Sequence, residues 1–271
     1  MSDQESRDLT QKVQRQFGAY AQNYVNSTVH SSSYSLDRLL DLMAIAPGQR
    51  VLDVATGGGH VALGMAKRGA DVIASDLTPK MLIAARSFIN EQIQFQSHVG
   101  HISYAQIDAL SLPYEPMTLD RVTCRIAPHH FPSAEQFVRE AARVIKPGGL
   151  VGVVDQIAPA NDRKAADYVN AFERLRDPSH QWEHDQPDWE SFFDLAGLRT
   201  IHVEVCRNRL EFGWWVQMQN CAPNVVTRLE AMLRQAPHAV TEWLQPELKE
   251  PGLPGAIYFS LWQLILIGVK D

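Results

Sequence analysis

The chain has 271 residues, 45% of them apolar and 21% charged, a balance that suits a water-soluble folded protein with a sizeable core. Lys and Arg number 25 against 31 Asp and Glu, a formal charge of −6, and no basic cluster resembles a nucleic-acid footprint, which argues against a phosphate-backbone partner. Cys124, Cys206 and Cys221 are widely spaced and form no CxxC pair, so neither a disulfide framework nor a zinc site is expected.

Residues 1–16 are polar and charged, without the apolar run of a secretory signal, and predict a cytoplasmic protein. Residues 12–42 read as helical and carry Phe17, Tyr20, Tyr24 and Tyr34; residues 1–48 are expected to form a helical lid over the carboxyl edge of a sheet. From Arg50 onward, short β-branched runs alternate with helical patterns. Strands are predicted at 50–54, 71–75, 102–107, 121–124 and 150–154, and helices at 61–68, 79–90 and 134–145. Thr78 stands at a helix N-cap with Pro79 at the first helical position, and Lys146-Pro147-Gly148-Gly149 stops a helix before the next strand. Such alternation implies βαβ crossovers and a mostly parallel sheet covered on both faces.

After Asp155 the pattern changes. Residues 158–185 read as a helical insertion, and the charge run 163–185 as a solvated helix face. A helix at 188–196 leads to a strand at 198–206, and a helix at 224–235 precedes the last strand at about 257–269. The apolar stretch 256–269 is too short to span a bilayer. Residues 49–271 are therefore expected to form one α/β domain carrying that insertion.

Three turns carry the chemistry. Val51-Leu52-Asp53-Val54 runs into Gly57-Gly58-Gly59, and glycines there let the backbone turn tightly and approach a ligand. Asp76 ends the second strand 23 residues after Asp53, near the spacing of a ribose-binding carboxylate. Asp108-Ala109 follows the third strand, an acceptor suited to an adenine amino group beside a residue small enough to leave the ring room. Each turn alone has a plain structural reading as a tight βα turn or a helix cap; together they share one sheet edge.

With these residues in place, 51–154 resembles the class I S-adenosylmethionine (SAM)-dependent methyltransferases, and is most similar to the ubiquinone/menaquinone-biosynthesis group. The resemblance rests on 51–59, 75–82, 108–114 and Arg143-Val144-Ile145-Lys146-Pro147-Gly148-Gly149. It implies a three-layer, Rossmann-like α/β fold whose seven-stranded sheet is mostly parallel with the last strand antiparallel. It implies SAM as cofactor and S-adenosylhomocysteine as product, with Asp53, Gly57 and Gly59 around the amino acid end, Asp76 on the ribose, and Leu77, Asp108 and Ala109 at the adenine. Arg125 is then placed at the methionine carboxylate or a substrate anion. His60, ending the glycine run, has no assigned role.

The same resemblance puts Cys124-Arg125-Ile126-Ala127-Pro128-His129-His130-Phe131 beside the methyl-transfer pocket. His129 or His130 suits a general base, and the competing reading is a pair that caps or packs the loop. No third ligand has recognisable spacing to the pair, so no metal is expected. Substrate walls are expected from Tyr20 and Tyr24, the insertion, and Trp214 in Phe212-Gly213-Trp214-Trp215, with one or more of those aromatics serving the core instead. The substrate class expected is a small molecule offering an O, N or C nucleophile. Non-methylating SAM chemistry such as cyclisation stays open, as does a non-catalytic binding module. A NAD-dependent oxidoreductase is disfavoured because the GxGxxG spacing is missing.

Overall fold

The structure is a computed structural model that describes residues 14, 17, 34–96, 98–248 and 256–271. The elements run α1 (Tyr34–Leu42), β1 (Arg50–Val54), α2 (His60–Ala66), β2 (Asp71–Asp76), α3 (Pro79–Ile93), β3 (Ile102–Gln106) and β4 (Leu119–Arg125). They continue with a short 3-10 turn at Pro128–His130, α4 (Ala134–Val144), β5 (Ile145–Ile157), α5 (Arg163–Arg176), α6 (Gln186–Leu195) and β6 (Leu198–Glu211). The last are α7 (Phe212–Gln217), α8 (Pro223–Arg234), α9 (His238–Leu244) and β7 (Tyr258–Lys270).

The strands form one seven-stranded sheet in the order β3-β2-β1-β4-β5-β7-β6, and β7 runs antiparallel to both neighbours. Period-two alternation explains why both faces are covered. Leu52, Val54, Val151, Val153, Leu264 and Leu266 point into a core closed by Phe137 and Val138 of α4 and Trp189 and Phe193 of α6. Their neighbours Val51, Val72, Val154, Ile265 and Ile267 point the other way, against Leu39, Val61, Met65 and Ile89 of the first three helices. Side-chain caps hold the helix starts: Ser133 accepts from Gln136 N–H, Asp162 from Ala165 N–H and Asp185 from Asp188 N–H. Each such cap stabilises its helix by about 1 kcal/mol.

Two expectations change. In the expected lid, α1 packs on a sheet face, with Leu39 and Met43 fully buried; Ser35, Leu36, Leu39 and Leu40 give the helix an apolar stripe that the sheet covers. The charge run after Asp162 is not simply a solvated face. Ala166, Val169, Asn170 and Glu173 recur at helical spacing and are all buried.

Strands β5 and β6 are also longer than predicted, while β7 has the predicted length. The added end of β6 and the start of β7 carry Leu210, Phe259 and Leu261 into a third core, in which Phe172 of α5 stacks on Trp215 at 4.9 Å and Phe259 meets Trp215 edge-on at 4.9 Å. This core extends the sheet's carboxyl edge with a polar-faced wall from α5. Among the described residues no helix is long and apolar enough to cross a membrane.

Candidate functional site

The chain crosses from β1 outward to β2 and β3, then returns to start β4 on the other side of β1. A crevice opens at such a reversal, beyond the strand ends. Val54 pairs with Cys124, so the loops after β1 and β4 leave side by side. Both begin with a residue in left-handed backbone: Ala55 at φ 52° and Ile126 at φ 53°. A β-branched residue in that region is strained, and such strain concentrates where a loop is held for function. Neither was visible as a site residue in the sequence.

The cleft is lined by Asp53, Gly57, Asp76, Leu77, Asp108, Ala109 and Arg125 among others. Asp53 is buried, accepting from Thr56 Oγ1 at 2.6 Å and Thr123 Oγ1 at 2.9 Å, and burial pushes its carboxyl up to about 6. Asp76 accepts from Gly57 N–H at 3.1 Å and Thr78 N–H at 2.8 Å, one on each oxygen. Burial pushes Asp76 up to about 6 as well. A carboxylate has about four lone-pair sites, so each Asp76 oxygen keeps one for a ligand. The Leu77 carbonyl accepts from Gln14 Nε2 and Gln106 Nε2, which fixes the turn. Asp108 is exposed and accepts from Leu110 N–H at 2.9 Å, leaving its second oxygen outward. Arg125 reaches Ser35 Oγ at 3.5 Å, and burial lowers its guanidinium to about 10 with Asp53 opposing.

The two glycines differ. Gly57 (φ 54°) lines the cleft, and a Cβ there would meet nothing closer than Met81 Cε at 3.7 Å. Gly59 (φ 83°) is not among the lining residues; a Cβ there would press to 2.8 Å from Ile89 Cδ1, so its glycine lets α3 approach α2. His60 is buried edge-on to Phe88 at 4.8 Å and also lines the cleft.

A second cavity adjoins the first and shares Phe17, Ile126 and His130 with it. Its walls add His129, Gln156, Glu173, Arg176, Asp177, His180, Asn208 and Trp214. His129 Nδ1 stands 2.6 Å from Asp155 Oδ1, and both residues are buried. Burial pulls the His129 imidazolium down, but the Asp155 charge and hydrogen bond outweigh it and the net shift is upward. His130 is 3.2 Å from Ser179 Oγ, and burial followed by the charge of His129 lowers it. Phe17 stands edge-on to His130, their ring centroids 4.8 Å apart.

Of the expected substrate walls, Tyr20 and Tyr24 lie outside the described residues. Trp214 lines the second cavity, while Phe212 is core and Trp215 is core with one edge on the cavity. The wall residues Glu173, Arg176, Asp177 and His180 were not singled out in the sequence. A signal existed: Asn170 and Glu173 fall on the apolar stripe of their helix, where a polar residue needs a reason.

A methyltransferase-domain family profile matches residues 52–153. The chain is 29% identical to the uncharacterized methyltransferase YcgJ of Bacillus subtilis over 94% of this chain and 97% of that one. The crystal structure of YcgJ superposes with a TM-score of 0.81, covering 88% of this chain and 98% of that chain. The uncharacterized methyltransferase sll0829 of Synechocystis is 32% identical over 60% of this chain and 72% of its own. The ubiquinone/menaquinone biosynthesis C-methyltransferase UbiE of Cereibacter sphaeroides is 28% identical over 55% of this chain and 53% of its own.

Proposed function

Because the chain belongs to the methyltransferase-domain family, we propose that it transfers the methyl group of SAM to an O, N or C nucleophile of a small molecule held in the second cavity. The observation that carries this reading is the pair of adjoining cavities divided by Phe17, Ile126 and His130. The cleft's donor set suits SAM. Asp53, Asp76 and Asp108 offer acceptors to an ammonium, two ribose hydroxyls and an adenine amino group, and Arg125 offers a cation to a carboxylate. When bound there, SAM supplies a methyl group on a sulfonium, ready for in-line displacement.

The chain's own residues do the rest. Gly57 lets the backbone approach the cofactor, and Ile126, Phe17 and His130 hold the acceptor against it, so alignment supplies most of the acceleration. Asp155 fixes His129 through Nδ1 and leaves Nε2 for the cavity. In its neutral form, His129 Nε2 takes the proton that the nucleophile loses, and Asp155 balances the imidazolium that results. His130, held neutral by burial, shapes the wall between the two sites.

Calorimetry with SAM, S-adenosylhomocysteine and NAD tests the cofactor assignment. The expected result is saturable binding of the first two and none of NAD; NAD binding without SAM binding would overturn it. An acceptor screen scored by S-adenosylhomocysteine release then identifies the substrate.

A further inference from the structure

Beneath the His129–His130 wall, the insertion brings together Glu173, His180 and Glu183. All three are buried, and they offer two carboxylate oxygens and one ring nitrogen within 4.8 Å of one another. We infer that these three residues form a divalent cation site at the edge of the second cavity. This trio is distinct from the His129–His130 pair for which the sequence offered no third ligand.

Burial and hydrogen-bond geometry support the assignment. Oε1 of Glu173 and Oε1 of Glu183 are buried and accept no hydrogen bond, although each is a carboxylate oxygen. A buried polar oxygen without a partner is costly, and two side by side leave acceptor lone pairs that a cation would satisfy. His180 is oriented by its neighbour. Asn170 Oδ1 accepts from Glu183 N–H at 2.7 Å, and Asn170 Nδ2 donates to Ala166 O at 3.0 Å, which fixes the amide. The His180 Nε2 at 2.9 Å from Asn170 Oδ1 must therefore carry a hydrogen and donate it. The Nδ1 lone pair is then the one the ring can offer to an ion. A metal-ligating histidine donates its other ring N–H to a fixed acceptor, and the Asn170 amide oxygen is such an acceptor here. Here the same amide also holds the backbone of a second ligand residue, Glu183.

The donor set restricts the ion. One imidazole and two carboxylates suit Zn²⁺, Mn²⁺ or Fe²⁺, whereas Ca²⁺ asks for about six to eight oxygens. Ligand distances of about 2.0–2.2 Å place neighbouring donor atoms roughly 3–4.4 Å apart, so closure needs only a small contraction of the trio. Glu173 and His180 also line the second cavity, so a remaining coordination position faces it. An oxygen-bearing acceptor would complete the shell there. That last step rests on the acceptor-pocket reading; cation binding itself does not.

The test is metal uptake by the full chain after chelator treatment and desalting. MnCl₂ and ZnCl₂ are titrated by calorimetry, bound metal is counted by elemental analysis, and the melting temperature is followed with and without each salt. The expected result is one ion per chain and a melting temperature that rises with the salt. Glu183→Gln should lose the ion and the salt-dependent rise, while melting close to the chelated parent because Gln keeps the shape of the side chain. Glu173→Gln carries the same test should Glu183→Gln not fold. No uptake by the parent, or full uptake by both variants, would overturn the site. SAM calorimetry on Glu183→Gln separates the two proposals, since the cofactor cleft does not include Glu183.

Discussion

His129 Nδ1 and Asp155 Oδ1 are 2.6 Å apart and shut away from solvent, although His129 lies in the turn after β4 and Asp155 within β5. The carboxylate sets the tautomer of the ring and raises its pKa, a combination that suits a base but not a loop cap. His129→Ala should lower kcat by about 10²–10⁴-fold with SAM affinity nearly unchanged. Only the neutral ring accepts a proton, so the rate should rise with pH through the raised pKa. In Asp155→Asn the upward pull is removed while burial still acts, so the inflection should move to lower pH and the plateau rate should fall. A flat profile between about pH 6 and 8 in the parent would instead assign the pair to shaping the pocket.

Asp76 makes a second, independent test. Its carboxylate holds Gly57 N–H and Thr78 N–H and is assigned to the ribose hydroxyls. Asp76→Ala should weaken SAM by about 1.5–3 kcal/mol, the worth of a charge-assisted hydrogen bond. Calorimetry showing parental affinity would remove the ribose assignment.

The pH dependence of cofactor binding follows from burial. Asp53 and Asp76 are both raised to about 6, so each ionises later in the folded protein than in the unfolded chain. Between about pH 4 and 6 the folded state holds more protons, so the stability of the ligand-free protein should fall as pH rises through that window. SAM donates to the ionised forms, so its affinity should move the opposite way, weakening as pH drops through 6. Melting curves with and without SAM, taken across that range, should therefore diverge as pH rises. Parallel curves would mean that neither carboxylate meets the cofactor.

Gly57 and Gly59 both have positive φ, yet they should respond differently to Ala. Gly57→Ala meets ordinary contact distances and adds only the left-handed backbone cost of about 1 kcal/mol, so its main loss should be SAM affinity. Gly59→Ala must displace Ile89, and should lower the melting temperature more than it lowers SAM affinity corrected for folded fraction. The reverse ranking would return Gly59 to the cofactor.

The contrast shows what the residue pattern could and could not carry. Strand-end acids and a glycine turn are local, so Asp53, Gly57, Asp76 and Asp108 could be placed on one edge from spacing alone. Two glycines two positions apart look alike in the sequence, and only packing against α3 separates them. The α5 wall was missed for a different reason. A run rich in Arg, Asp and Glu reads as solvated, and the burial of Asn170 depends on residues 180–183 folding back over the helix, where His180 and Glu183 meet its amide. That long-range geometry has no local signature beyond polar residues on an apolar stripe. Likewise, Asp155 lies 26 residues from His129, and nothing between them in sequence announces the pair.

Phe17, from the N-terminal segment, stands edge-on to His130 on the boundary of both cavities. Burial is the largest influence holding His130 low, followed by the charge on His129, with Asp177 pulling upward and Arg176 downward. If Phe17 shields the ring, Phe17→Ala should admit water, relieve that burial and raise the His130 pKa toward the ordinary 6.5 of histidine. NMR titration of the histidine Cε1–H signals reads this without an acceptor. SAM affinity should fall in the same variant, because Phe17 also lines the cofactor cleft, and Phe17→Leu should restore most of both effects by refilling the space. A His130 titration that does not move, with SAM affinity reduced, would confine Phe17 to covering the cofactor. In that case the boundary between the two cavities would be held by His130 and Ile126, without the N-terminal segment.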